Sequence, residues 1–207
     1  MTLSMAEAPK HLTIAATGAS GGVFVRAMLR ALASDVRVEE VNFIASDSAL
    51  RVFAEELQIS GRNNLVEQLL GGSPSKKFKQ LSNDDIGATI ASGSYPVNVM
   101  VVLPCSMGTL ARIANGMAIN LIERAADVCL KEQRRLVLCV RETPLNKIHL
   151  RNMQYAADAG ATIYPVVPTF YNKPVDSTEM AAQFIARVLA HIGLPQPGAY
   201  QWSGKSR

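Results

Sequence analysis

Residues 12–22 read Leu-Thr-Ile-Ala-Ala-Thr-Gly-Ala-Ser-Gly-Gly, a short apolar run that ends in a turn of small residues. The apolar run predicts a buried strand, and the glycines let the backbone turn tightly into a helix. Amide N–H groups at the start of such a helix can bind an anion. Residues 17–22 are therefore a candidate phosphate- or flavin-binding turn. A tight turn that serves only helix packing is the alternative.

The turn lacks the features of two common nucleotide-binding motifs. No Gly-Lys-Ser/Thr follows it, so it is not a P-loop, and its spacing is not Gly-x-Gly-x-x-Gly. The second predicted strand ends at Ser46, where a fold that binds NAD usually places an acidic residue for the ribose. The sequence therefore favours a phosphate or a flavin over a dinucleotide.

The rest of the chain alternates short aliphatic runs with helical patterns. Nearly continuous aliphatic strands are typical of a parallel sheet that is covered on both faces. We therefore predict a single-domain, doubly wound α/β fold, Rossmann-like or flavodoxin-like, with a mostly parallel sheet and helices on both faces. The segment 71–96 is the longest irregular one. Strands are predicted at 12–16, 36–45, 97–103, 136–140 and 161–167, and helices at 23–31, 50–57, 110–114, 121–130, 149–159 and 180–192.

Length and composition exclude several classes of protein. The 207 residues are 48% hydrophobic and 18% charged, which fits one domain with a core and not a disordered chain. The longest clean apolar run, 99–103, is far shorter than the roughly 20 residues of a membrane span, and no secretory signal precedes it. We predict a cytoplasmic protein with a flexible N-terminus (1–10), an α/β domain (11–195) and a C-terminal tail (196–207).

The charge and the cysteines narrow the choice of partners. The formal net charge is +4, but the basic residues are not interleaved with aromatic ones as in a groove that binds a nucleic-acid strand. We therefore expect no nucleic-acid partner, while a small anionic ligand remains compatible. Three cysteines without a Cys-x-x-Cys spacing fit a reducing compartment, and the scattered histidines predict no metal site.

A second candidate ligand turn follows the third predicted strand. Ser106 and Thr109 bracket a helix start there, and both hydroxyls could donate to a phosphate, although a plain N-cap role for Ser106 is the alternative. Two such strand exits on one sheet strengthen the prediction of a ligand. Cys105 lies beside them, but free cysteines are commonly small buried hydrophobes, so we do not predict a nucleophile.

Charged and aromatic residues at and beyond the end of the fourth predicted strand are candidates for phosphate binding and proton transfer. Arg141 and Glu142 lie at its exit, where a guanidinium can bind phosphate through two parallel hydrogen bonds and a carboxylate can move a proton. Tyr171 follows the fifth strand with an apolar ring and a hydroxyl tip. Lys131 and Arg187 lie on predicted helices. The alternatives to a ligand-binding role are a solvated surface charge for Lys131 and, for Arg187, a side chain whose apolar stem packs on the helix edge while its guanidinium reaches solvent.

Together these motifs resemble the UbiX-type flavin prenyltransferases, which belong to a wider flavoprotein group that includes the cysteine decarboxylases. The most specific carriers are Asn-Leu-Ile-Glu-Arg-Ala-Ala-Asp-Val at 120–128 and Arg-Glu-Thr-Pro at 141–144. The other matching segments are 17–21, 91–94, 104–110, 160–161 and 170–171, and the resemblance extends to Trp202.

The resemblance implies transfer of a dimethylallyl group from dimethylallyl phosphate to N5 and C6 of reduced FMN, without a metal. The implied FMN ligands are Gly18, Ala19, Ser20, Ser46, Ser106, Met107, Gly108, Thr109 and Arg141. The implied substrate ligands are Lys131, Arg141, Tyr171, Arg187 and Arg124. The implied catalytic residues are Ser20, Glu56, Glu142 and Lys131. Met107 departs from the family pattern, which has a small or hydroxylated residue at its position.

The resemblance also implies partners. Enzymes of this family form trimers that assemble into dodecamers, with sites completed at subunit interfaces, so Lys131 would serve a neighbouring subunit. A UbiD-type decarboxylase would receive the prenylated FMN. Two alternatives stay open: an FMN-dependent decarboxylase, which would need a histidine just after an early strand, and a non-catalytic FMN carrier of a decarboxylase system. The carrier would not need Lys131, Arg187, Tyr171 and Glu142 together.

Overall fold

The computed structural model describes residues 7–72 and 75–199, so Trp202 and most of the predicted tail lie outside the described residues. The strands are β1 (His11–Ala16), β2 (Glu40–Ala45), β3 (Phe78–Leu81), β4 (Val99–Cys105), β5 (Arg135–Val140) and β6 (Thr162–Ile163). The helices are α1 (Gly22–Ser34), α2 (Asp47–Leu57), α3 (Leu65–Leu70), α4 (Met107–Ala114), α5 (Leu121–Lys131), α6 (Lys147–Asp158) and α7 (Ser177–His191).

The strands form one six-stranded sheet in the order β3-β2-β1-β4-β5-β6, and all neighbouring pairs are parallel. This order is that of the Rossmann fold, in which the chain winds outward in both directions from β1. The predicted doubly wound α/β fold is confirmed. Its direction of winding reverses between β1 and β4, so the carboxyl ends of these two strands form the switch point of the sheet.

Alternating strand residues divide the core into two layers, as in any strand buried on both faces. Val137 and Cys139 of β5 face the layer of α1, α2, α3 and α7, whereas Leu136 and Leu138 face the layer of α4, α5 and α6. All four side chains have no exposed surface. The continuous aliphatic run in β5 therefore follows from burial on both faces.

Three predicted elements differ from the observed ones. The second strand begins at Glu40, not at residue 36, because a turn joins Val38 N to Asp35 O. The fifth shrinks to two residues, although Tyr164 and Val166 continue to donate to β5. The segment 71–96, predicted as irregular, contains the edge strand β3, which pairs with β2.

The helix termini follow the sequence signals more closely. Asp176 caps α7 by accepting from Glu179 N at 2.7 Å, and Gly193 with a φ of 92° follows its end. His149 forms a capping box with Asn146 at the start of α6, which gives this histidine a structural role.

No helix among residues 7–72 and 75–199 is long and apolar enough to cross a membrane.

Asp35 joins the turn after α1 to the segment after α7. Its buried carboxylate accepts hydrogen bonds from Arg37 Nε at 2.9 Å and Gln196 Nε2 at 3.0 Å. The hydrogen bond from Arg37 lowers the pKa of Asp35 to about 2. Because the unfolded chain has the higher pKa, near 3.8, this carboxylate stabilises the fold above that pH, and the contribution is lost as the pH falls toward 2.

We expect Asp35→Asn to lower the free energy of unfolding by about 2 kcal/mol at pH 7. The difference in the free energy of unfolding between wild type and Asp35→Asn should shrink below pH 4, because protonation of Asp35 then removes the stabilising charge in wild type. Urea unfolding at pH 7, 4 and 3 measures this, with the exposed Asp84→Asn as control. A difference that stays constant over this range would contradict the role of the Asp35 charge.

Candidate active site

The turn after β1 is held by a carboxylate of the chain itself. Gly21 N donates to Glu56 Oε1 and Oε2 at 3.1 and 3.0 Å, and Gly22 N donates to Oε2 at 2.7 Å. Glu56, on α2, thus satisfies the first free amides of α1. The prediction that these amides face a ligand anion is corrected, because the anion that they bind is Glu56.

The exits of β1 and β4 are joined through Thr17. Its buried Oγ1 donates to Pro104 O at 2.8 Å and accepts from Ser106 N at 2.8 Å. Arg141 N, at the exit of β5, donates in turn to Cys105 O at 3.2 Å. Three neighbouring strand exits are therefore fixed relative to one another at the carboxyl edge of the sheet, where ligands bind in folds of this class.

A polar cavity of about 170 Å³ lies at this edge, beside the switch point. The N-cap residues of three helices line it: Ser46 of α2, Ser106 of α4 and Asn120 of α5. Each cap accepts a hydrogen bond from the backbone of its own helix, and each helix start contributes partial positive charge. Ser106 is therefore an N-cap, which was the alternative to a ligand-binding role, and it also lines the cavity.

The cavity fits a phosphate group. Its lining provides hydroxyl and amide groups and one guanidinium, and none of the lining residues, all in the described part of the chain, is acidic. Its volume is below the roughly 300 Å³ of the smallest ordinary ligand sites, so it can hold one end of a larger ligand. The other lining residues are Thr17, Gly18, Ser48, Asn83, Thr109, Arg112 and Ile122.

The remaining predicted cofactor ligands differ in their placement. Ser20 and Gly108 are exposed at the same edge, while Ala19 is buried in the turn. Met107 is 8% exposed and packs into the core layer of α4, α5 and α6. Its side chain is thus part of the core and does not line the cavity, so only its backbone can face a ligand.

Gly18 brings the turn after β1 against α2. A Cβ at this position would collide with Cβ of Ser48 in the first turn of α2. We expect Gly18→Ala to lower the free energy of unfolding by about 1–3 kcal/mol in urea unfolding, because the backbone must shift. Gly87→Ala is the control, since a Cβ added at Gly87 would have Asp85 Oδ1 as its nearest atom, at an ordinary contact distance of 3.4 Å. Equal changes in both variants would show that the contact of Gly18 is unimportant.

Three predicted site residues lie beyond the carboxyl ends of β5 and β6, and the fourth, Arg187, lies on α7. Arg141 and Glu142 are exposed, and Glu142 Oε1 accepts from Thr143 N at 2.9 Å. Tyr171 is 76% exposed in the segment that follows β6. Arg187 is exposed on α7 and lies near Tyr164; burial raises the pKa of the Tyr164 phenol, and the charge of Arg187 opposes that shift.

Lys131 and Arg124 lie elsewhere, along the exposed side of α5. Arg124 Nε donates to Ala91 O at 3.2 Å, and Lys131 Nζ pairs with Glu132. Lys131 is at the end of α5, next to the start of β5, whereas Arg141 is at the other end of that strand. The six residues of β5 span about 20 Å, so one chain does not bring these two cations together.

The cysteines and the other cavity offer no competing site. Burial raises the pKa of the Cys105 thiol to about 12, which keeps it protonated and agrees with a packing role. Among the described residues, no group of three or more His, Cys, Asp or Glu side chains is placed to hold a metal. A larger open cavity of about 1060 Å³ lies at the amino edge, near Lys10 and Arg135, away from the strand exits.

Sequence reasoning missed Arg112 and Glu123. Glu123 is 1% exposed, and its carboxylate pairs with Arg112 Nε at the cavity. The two residues lie on different helices, α4 and α5, so no local pattern joins them. The only sequence signal was the Asn-x-x-Glu spacing from Asn120, which is that of a capping box. In the structure Glu123 Oε2 accepts from Ile119 N at 3.1 Å, one residue before the cap.

An anion cavity at the switch point of such a sheet is typical of α/β proteins that bind a nucleotide or a flavin. In agreement, a family model described as Flavoprotein matches residues 2–192. Flavin prenyltransferase UbiX of Pseudomonas aeruginosa is 39% identical over 199 residues, which cover 94% of this chain and 94% of that protein.

Two solved structures are similar over almost the whole chain. A crystal structure of AnUbiX in complex with FMN and dimethylallyl pyrophosphate has 36% identity and a TM-score of 0.84, and covers 96% of this chain and 100% of that one. A dodecameric FMN-dependent UbiX-like decarboxylase from Escherichia coli has 39% identity and a TM-score of 0.84, and covers 94% and 100%. This chain belongs to the flavoprotein family and, within it, to the UbiX flavin prenyltransferases. The predicted family and enzyme class are confirmed.

Proposed function

We propose that this chain transfers the dimethylallyl group of dimethylallyl phosphate to N5 and C6 of reduced FMN. The observation that carries the proposal is the phosphate-sized polar cavity beside the exits of β1, β2 and β4. When bound, reduced FMN supplies the nucleophilic N5 and C6 atoms.

The cavity holds the phosphate end of FMN. Ser46, Ser106 and Thr109 supply hydroxyl groups, and the starts of α2, α4 and α5 supply favourable partial charge. Because the cavity is too small for a whole flavin, the ring lies outside it, along the strand exits. Gly18 and Ser20 on one side and Arg141 on the other would then flank the ring.

Lys131, Arg141, Tyr171 and Arg187 bind the phosphate of dimethylallyl phosphate. Departure of that phosphate builds negative charge, and positioned cations stabilise it most strongly where water is excluded. Arg124 adds a further positive charge beside Lys131 on α5. No divalent cation is part of this proposal, because the cationic side chains take the role of neutralising the leaving group.

Glu142 and Ser20 move protons near the reacting atoms. The Glu142 carboxylate is exposed at the end of β5, and its Oε1 accepts from Thr143 N. Glu56 acts differently in this proposal: its carboxylate fixes the turn that carries Ser20. Glu56, which the resemblance places among the catalytic residues, is thus a positioning residue in this proposal.

The active site is completed between copies of the chain, in trimers that assemble into a dodecamer. Two observations support this: Lys131 is a strand length from Arg141 within one chain, and large apolar side chains are exposed near the carboxyl edge. Those on the α4–α5 connection and around the start of α6 are 44–64% exposed, which is typical of an interface. They are Met117, Ile119, Leu145, Ile148 and Leu150.

The product, prenylated FMN, passes to a UbiD-type decarboxylase in the cytoplasm. A small flavin-derived product that stays non-covalently bound can be released to such a partner without a change in this chain. The carrier alternative is less well supported, because it gives no reason for Lys131, Arg187, Tyr171 and Glu142. The decarboxylase alternative lacks its histidine, since His11 begins β1 and does not follow it.

One experiment tests the proposed function. The purified protein is incubated without oxygen with reduced FMN and dimethylallyl phosphate, and the flavin mass and the free phosphate are measured. We expect a covalent flavin adduct and one phosphate released for each adduct. Tight FMN binding with an unchanged flavin would instead identify the carrier, and omission of dimethylallyl phosphate is the control.

A further inference from the structure

The cavity contains one positively charged side chain to which the resemblance assigns no role. Arg112, on α4, lines the cavity together with the N-cap residues Ser46, Ser106 and Asn120. Its side chain is 35% exposed and forms part of the cavity lining. A Cβ on Gly108, one turn earlier, would lie 3.7 Å from Arg112 Nη1, which places the guanidinium beside the first turn of α4.

Glu123 fixes the orientation of this guanidinium. One carboxylate oxygen pairs with Arg112 Nε, and the other accepts from Ile119 N at 3.1 Å, so both oxygens are held. The side chain of Glu123 is 1% exposed, and a buried carboxylate is strongly unfavourable without a paired cation. In the part of the chain that the structure describes, Arg112 has no recorded hydrogen bond through Nη1 or Nη2.

We propose that Arg112, positioned by Glu123, binds the phosphate of FMN and makes this chain select FMN over riboflavin. The inference rests on the proposed function, because it takes FMN to be the ligand of the cavity. A guanidinium held at Nε can present its two terminal nitrogens to phosphate oxygens in a fixed plane. The positive charge also offsets Glu123, whose negative charge would otherwise repel the phosphate.

The first test compares Arg112→Gln with wild type in binding of oxidised FMN and of riboflavin, followed by quenching of flavin fluorescence. We expect FMN affinity to fall about 10- to 100-fold, the range for loss of a charge-assisted hydrogen bond. Riboflavin affinity should change by less than about twofold, because riboflavin has no phosphate. Equal losses for both flavins would overturn the proposal.

A matched control is available in Arg37→Gln. Arg37 is also 35% exposed and pairs with a buried carboxylate, that of Asp35, but it lies away from the cavity. We expect it to leave the affinities for both flavins unchanged. If wild type itself fails to bind FMN, the proposed function fails. If wild type binds FMN and Arg112→Gln binds it equally well, only the present inference fails.

The double variant Arg112→Gln/Glu123→Gln separates phosphate binding from charge neutralisation. It removes both charges of the pair, and the amide that replaces the Glu123 carboxylate can still accept from Ile119 N, so no buried charge is left unpaired. If Arg112 binds the phosphate, the double variant should bind FMN almost as weakly as Arg112→Gln does, while its affinity for riboflavin equals that of wild type. Recovery of wild-type FMN affinity would mean that Arg112 only neutralises Glu123, and would overturn the proposal.

Discussion

Mixed oligomers of Lys131→Ala and Arg187→Ala chains are expected to form prenylated FMN much faster than either variant alone. Each single variant should lose about 10²- to 10³-fold in kcat, because it lacks one group that stabilises the departing phosphate. Recovery follows from the proposed function, in which Lys131, at the amino end of β5, reaches the phosphate from a neighbouring chain.

The two variants are coexpressed with different tags, and the mixed species are isolated by sequential affinity steps. With random assembly, about a quarter of the sites pair an intact Lys131 with an intact Arg187 from a neighbour. The matched control mixes Arg141→Ala with Arg187→Ala, which lie on the same side of the site and should give no recovery. Absence of recovery in verified Lys131/Arg187 mixtures would show that one chain supplies both residues.

Glu142→Gln is expected to bind FMN as wild type does but to prenylate it about 10²- to 10⁴-fold more slowly, the range for loss of a general acid or base. The amide keeps the size and an oxygen that can accept from Thr143 N, so the strand exit should keep its conformation. FMN binding is measured by fluorescence quenching and prenylation by flavin mass in single-turnover reactions.

The control for this prediction is Glu55→Gln, which removes an exposed carboxylate from α2. It should match wild type in both measurements. Wild-type turnover in Glu142→Gln would refute the proton-transfer role. An equal loss of FMN binding and turnover would assign Glu142 to flavin binding instead.

The buried parts of the fold could be predicted because their pattern is strong. Strands β1, β4 and β5 are nearly continuous aliphatic runs, and such runs are typical of strands covered on both faces. Strand β3, Phe-Lys-Gln-Leu, was missed because an edge strand is half exposed and four residues are too few to show an alternation. Helix α3 has only six residues and was missed for the same reason.

The candidate site was predictable only in part. Ser46 and Arg141 directly follow predicted strands and Ser106 comes three residues after one, and the carboxyl-edge rule was enough to group them. The Arg112–Glu123 pair depends on how α4 and α5 pack, and the clamp of Glu56 on the glycine turn joins residues 34 and 35 positions apart. Tertiary contacts of this kind leave no periodic signal in a sequence.

The hydroxyl of Thr17 has a consequence for how the family site can change. Because Thr17, at the exit of β1, both donates to and accepts from the backbone at the exit of β4, the two turns behave as a single rigid unit. Neither turn can be remodelled alone without stranding a buried polar atom. Divergence toward another phosphorylated ligand would then proceed by substitution of side chains on α4 and α5, with the backbone frame inherited unchanged.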